Sequence, residues 1–211
     1  LYTLGELVTA RAHLEQAIAV YGSQSHGFQA LRTLPTPWVS CLSYTAWVLW
    51  LLGYPEQALE KSQEALTLAQ EQAHPYSLAR ALLWAAGLRQ FRRERAEAQA
   101  RAEAAMILST EQGFPNWLPI ATIQWGWALA AQGHGGEGIS QIHQGLAAMR
   151  ATGVKLGRPH WLALLAEAYG HVGQTQEGLT VLAEALATVH SRAGRWWEAE
   201  LYRLKAELLL Q

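Results

Sequence analysis

Leu52-Gly53-Tyr54-Pro55-Glu56-Gln57-Ala58 returns in degraded form as Gln132-Gly133-His134-Gly135-Gly136-Glu137-Gly138, and again as Val172-Gly173-Gln174-Thr175-Gln176-Glu177-Gly178. A fourth copy runs from Arg93 to Ala98. A step of 40 residues places Gly53, Arg93, Gly133 and Gly173 at one turn, and Ala58, Ala98, Gly138 and Gly178 five residues later. Seven residues further on stand Ala65, Ala105, Gly145 and Ala185. Seven residues before the turn stand Ala46, Ala86, Gly126 and Ala166. Three columns of small residues in one register are the mark of an internal repeat, which governs the fold assignment before any local reading.

Small residues at fixed places in a helical pattern mark where two backbones approach closely, and a larger side chain there would separate them. Between the columns the spacing is three and four, as in Ala58, Ser62, Ala65, Leu66 and Ala69, or Leu162, Leu165, Ala166 and Tyr169. No stretch alternates with a period of two between turn signals. Glycine closes one helix and proline or threonine opens the next at Gly53-Tyr54-Pro55 and Gly173-Gln174-Thr175. Each repeat is therefore a pair of antiparallel helices. The predicted first helices cover 38–52, 76–92, 116–132 and 159–172; the second helices cover 55–73, 95–112, 135–152 and 175–192.

Working outward, Gly5, Ala10, Leu14 and Ala17 fit the second-helix template, and Tyr202, Ala206 and Leu209 continue the first-helix template. The expected organisation is a single repeat domain over 1–211. It comprises a half repeat 1–21, an irregular loop 22–37, repeats 38–75, 76–115, 116–158 and 159–195, and a half repeat 196–211. Half repeats at both ends would each leave an apolar side uncovered, so the chain is expected to be a fragment of a longer array. The loop reads as a surface insertion or a functional segment.

Composition narrows the function classes. Half of the 211 residues are hydrophobic and 16% are charged, which suits a chain with a sizeable core. Sixteen Lys and Arg against 17 Asp and Glu leave a net charge of -1, which argues against an electrostatic grip on nucleic acid or an anionic membrane. The single cysteine, Cys41, permits no internal disulfide and suits a reducing, cytoplasmic setting. No uncharged apolar run reaches the roughly 18 residues of a membrane span. Tryptophan is the anomaly, with 10 Trp against 3 Phe.

The columns Leu or Thr (42, 82, 122, 162), small (46, 86, 126, 166), Gly (53, 133, 173) and Ala or Gly (58, 98, 138, 178) resemble the tetratricopeptide repeat over nearly the whole chain. The period departs from the family's usual value of about 34 residues, and the turn glycine is missing at Arg93. Phrases such as Cys-Leu-Ser-Tyr-Thr-Ala-Trp at 41–47, Glu-Gln-Gly-Phe-Pro at 111–115 and Trp-Glu-Ala-Glu-Leu-Tyr-Arg-Leu-Lys at 197–205 look like the C-terminal repeat region of large bacterial signalling ATPases, whose output module is a cyclase or a DNA-binding domain. The resemblance implies an all-α fold: a right-handed α-solenoid of about ten helices.

It also implies that first helices line a concave side, with ligand-facing columns at fixed offsets. Carried onto this chain, these columns hold Trp47, Gly87, Trp127 and Glu167; Trp50 and Gln90; and Arg80 and His160. Trp47, Trp50 and Trp127 would then form an indole wall with a notch at Gly87, and Arg80, Gln90, His160 and Glu167 would supply polar contacts. The opposing reading places these indoles in the packing. Trp117, Trp161 and Trp197 are expected to brace the starts of first helices.

Enzyme signatures are missing. There is no His-Glu-x-x-His, no phosphate-binding Gly-x-x-x-x-Gly-Lys-Ser/Thr and no Gly-x-Ser-x-Gly. Arg89, Arg92, Arg93 and Arg95 are interrupted by Glu94 and Glu97 and read as a solvated turn. The expected function is a non-catalytic scaffold without cofactor or metal, binding a protein, a peptide or another domain of its parent chain. It would be the regulatory region of a bacterial signal-transduction ATPase. The alternative is a metabolite sensor with its ligand in the Trp groove.

Overall fold

The computed structural model describes residues 1–23, 37–153, 157–191 and 195–211. The expected loop 22–37 lies, from residue 24 to 36, outside the described residues. The described secondary structure is helical, and it divides into two compact units. The first comprises residues 1–2 and 6–117 and holds α1 (Leu7–Ser23), α2 (Pro37–Leu51), α3 (Pro55–Glu71), α4 (Pro75–Phe91) and α5 (Arg95–Glu111). The second comprises residues 3–5 and 118–211 and holds α6 (Leu118–Ala131), α7 (Gly135–Ala151), α8 (Arg158–His171), α9 (Thr175–Ser191) and α10 (Glu198–Leu209). The helix ends of the four pairs fall within two residues of the sequence-based map.

The 40-residue step proves to be two steps of 20. A positive φ closes a helix at Gly53, Ala73, Arg93, Gly113, Gly133, Gly153 and Gly173. Each second helix (α3, α5, α7 and α9) is 17 residues long, as is α4, and a three-residue turn joins the two helices of each pair. At five of these ends the chain makes the six-to-one hydrogen bond of a Schellman cap: the N–H groups of Tyr54, Glu94, Phe114, His134 and Gln174 donate to the carbonyls of Leu49, Arg89, Ser109, Leu129 and Tyr169. The turn glycine missing at position 93 therefore does not break the rhythm. Arg93 takes φ 61° and keeps the same cap. Helix starts are specified as locally: Pro55 and Pro75 stand in the first turn, and His74 Nδ1 accepts from the Ser77 N–H at 3.2 Å.

The small columns sit where the helices of a pair cross. Ala46 and Ala58 on α2 and α3 are buried, as are Ala86 and Ala98 on α4 and α5. In the α6–α7 pair the crossing is tighter. A Cβ on Gly126 would come within 2.7 Å of the Gly138 carbonyl oxygen, and one on Gly145 within 2.7 Å of the Pro119 oxygen. Glycine is what this backbone contact requires.

First and second helices differ in burial for a topological reason. In the first unit α4 packs on α5, on α3 and directly on α2; in the second α8 packs on α9, α7, α6 and α10. A helix covered on several sides must be apolar nearly all round. Accordingly residues 81–88 of α4 and 159–166 of α8 are buried without interruption, whereas α3 buries only Ala58, Ser62, Ala65, Leu66 and Ala69. The first helices of each unit thus form a layer of neighbours.

Candidate recognition surface on the first helices

The 40-residue spacing brings equivalent columns of adjacent first helices face to face, so their side chains meet each other before they meet solvent. Trp47 on α2 is only 4% exposed. Its indole N–H donates to the Trp84 carbonyl on α4 at 2.8 Å, and its ring stacks on Trp84 at 5.7 Å and meets Phe91 edge-on at 4.8 Å. The expected notch at Gly87 is filled by this same indole, since a Cβ there would collide with the six-membered ring of Trp47. Gly87 is small because Trp47 lies across it.

The same construction recurs in the second unit with a different acceptor. Trp127 on α6 is 1% exposed, and its indole N–H donates to Glu167 Oε2 on α8 at 3.0 Å. Glu167 also stands 3.8 Å from His171. Two of the expected site residues, Trp127 and Glu167, are therefore brought together, but as a contact between repeats. His160 is 1% exposed and lies among Trp161, Trp197 and Trp196, with ring centres 4.5, 4.7 and 5.4 Å away. Burial drives its pKa down to about 3, so the ring is neutral. Gln90 is 2% exposed. The picture of Trp47, Trp127, Gln90 and His160 as a solvent-facing wall is thus corrected: first helices pack directly on first helices, and these four side chains are buried.

Two of the candidates keep contact with solvent on α2 and α4. Trp50 is half-buried, stacks on Phe91 at 6.4 Å and carries the Arg92 guanidinium over its ring at 5.9 Å. Arg80 is half-buried among Tyr44, Trp84 and Trp117, which lie 5.3, 5.2 and 5.8 Å from its guanidinium carbon. The column positions alone pair none of these three rings with Arg80. Tyr44 and Trp84 do stand one repeat apart, and an aromatic residue recurring in a column was the signal available. Trp117, expected to brace the start of a first helix, meets Tyr76 at 5.3 Å and Trp84 at 5.9 Å.

At the arginine-rich turn that ends α4, two of the four arginines share one carboxylate. Glu94 takes Arg89 at 2.5 Å and Arg92 at 2.7 Å, and Glu56 stands 3.7 Å from Arg92. Among the described residues no group of three or more His, Cys, Asp or Glu side chains is placed to hold a metal ion.

No known protein-family profile matches the chain, and no curated protein matches it in sequence. Solved structures do. The Rap protein complexed with competence and sporulation factor aligns with a TM-score of 0.65 at 14% identity, over 99% of this chain and 61% of that one. The nearly identical TPR-like repeats of a kinesin light chain from Podosopora anserina align with a TM-score of 0.55 at 18% identity, over 87% of each chain. A signal-transduction ATPase with numerous domains and a tetratricopeptide repeat sensor, from Pyrococcus horikoshii, aligns with a TM-score of 0.56 at 15% identity, over 92% of this chain and 28% of that one. With its paired helices, its small-residue crossings and these structural neighbours, the chain has the tetratricopeptide-like helical-repeat fold.

Proposed function

We propose that the chain is a non-catalytic recognition module whose first-helix layer takes a peptide, a partner protein or another domain of its parent protein. The observation that carries this reading is the layer itself. In each unit consecutive first helices pack side by side; half-buried Trp50 and Arg80 remain open to solvent on the layer of the first unit, and half-buried Glu167 on that of the second. Such a surface offers rigid aromatic contact area with a few polar groups, which is what recognition of a short segment needs. The likeness to a signal-transduction ATPase with a repeat sensor supports placing the module in the regulatory region of a bacterial protein of that kind. A cytoplasmic location accords with this reading; no described helix is long and apolar enough to cross a membrane. A net charge of -1 disfavours nucleic acid as the partner.

The test is to pan a random dodecapeptide display library against the purified chain. Recurrent sequences that, as synthetic peptides, bind and raise the melting temperature support the reading, because a ligand of the native state stabilises it by mass action. Absence of any enriched sequence counts against it. A second reading, a metabolite sensor, draws on a different feature from the Trp groove. A cleft of about 360 Å³ between α1, α2 and α3 is lined by Glu15, Ile18, Thr45, Leu49, Gln57 and Lys61. That volume falls within the usual range for small-molecule sites. A set of polar metabolites screened by melting temperature decides between the two.

A further inference from the structure

Arg80 carries a charge that nothing in the described residues answers. No carboxylate pairs with it, and its Nε is sealed from water without a hydrogen-bond partner. The indole nitrogens of Trp84 and Trp117, two of the three rings around it, are likewise sealed and without a partner. Trp84 itself is 7% exposed. The Nη atoms of Arg80 are a different case, being neither hydrogen-bonded nor sealed, and the residue as a whole is only half-buried. The guanidinium is therefore gripped by Tyr44, Trp84 and Trp117 with its Nη fork toward solvent. Its charge is felt locally: burial pushes the Cys41 thiol up, and Arg80 pulls against that shift.

Holding a cation in a partly dry place without a counter-charge is costly, and ring faces offset only part of that cost. The same fixing of the fork lowers the entropy lost when an anion docks on it in two parallel hydrogen bonds. The charge count favours a monoanion. A single guanidinium fork matches a carboxylate in charge and in its two acceptor oxygens. We propose that Arg80, seated among Tyr44, Trp84 and Trp117, is the receptor for a carboxylate side chain of the bound peptide. This rests on the peptide-recognition reading above and names the chemistry of that partner.

The peptides enriched by panning supply the probe. Fluorescein-labelled copies are titrated with the whole chain and followed by fluorescence polarisation. The expected result is an Asp or Glu at one fixed position. Replacing it by Asn or Gln should weaken binding at least tenfold, Arg80→Met should do the same, and the two changes together should cost no more than either alone. Arg80→Lys keeps the charge but loses the fork, so it should weaken the acidic peptide and leave its amide counterpart unaffected; this variant decides the matter if Arg80→Met does not fold. Enriched peptides that lack an acid, or that bind Arg80→Met within threefold of the parent chain, overturn the proposal and leave peptide recognition standing. A panel with no enriched sequence removes both. A phosphoserine in place of the acid that binds more than tenfold tighter overturns the choice of carboxylate.

Discussion

Ala73 occupies a place in the 20-residue rhythm that glycine fills at five of the other six turns. Its φ of 48° puts Cβ against the following carbonyl, at a cost of roughly 1–2 kcal/mol for an L-residue. Glycine removes that cost but adds roughly 0.5–1 kcal/mol of chain entropy to the unfolded state. The side chain is exposed, so no packing is lost. Ala73→Gly is therefore expected to raise stability by up to about 1 kcal/mol in urea denaturation. A clear loss would mean that the turn relaxes out of the left-handed region in solution. Arg93 is a poorer site for the same change, because it has further contacts of its own.

At the scale of the element, the seams between first helices decide what the tryptophans do. Trp127→Ala would empty the space between α6 and α8 and is expected to cost about 3–5 kcal/mol, as for other buried aromatic residues. Trp127→Phe keeps most of the packing and removes only the donor to Glu167, with an expected cost of about 1–2 kcal/mol. A Trp127→Ala protein melting within a degree or two of the parent would return this indole to a surface role. The α8–α10 seam gives a pH signature. His160 is neutral when folded, with a pKa near 3, against about 6.5 when unfolded. Below pH 6.5 the unfolded chain takes up a proton that the folded chain refuses. Stability is therefore full above that pH and falls by roughly 1.4 kcal/mol per unit as pH drops toward 3. His160→Phe retains a ring between the tryptophans and should flatten the urea midpoint between pH 6.5 and 5, a window above the carboxylate titrations. An unchanged slope would show that His160 is accessible to protons in the native state.

Across the whole chain, the legible part of the fold was the part written in backbone terms. Gly126, Gly138 and Gly145 sit where two helices touch, and a contact of that kind tolerates no side chain, so it leaves a mark in the sequence. The site was less legible because a column states which residues share a face, not what lies opposite. Trp47 and Gly87 were both on the expected column, and their relation was invisible until α2 and α4 were set beside each other: the glycine is the tryptophan's seat. Arg80 was on its column too, but the rings that hold it come from α2, from α4 and from the approach to α6. Repeat architectures also predict how stability is distributed, since each helix pair is held by its neighbours alone. Within the first unit α4 is covered by α2, α3 and α5, while α1 packs chiefly on α2. Within the second, α8 is covered by α6, α7, α9 and α10, while α10 rests on α8 and α9. Native-state hydrogen exchange should therefore show the amides of α4 and α8 protected longest, with α1 and α10 opening at lower free energy. Equal protection along all helices of a unit would mean that it unfolds as one cooperative block, and that the nearest-neighbour account of this array is wrong.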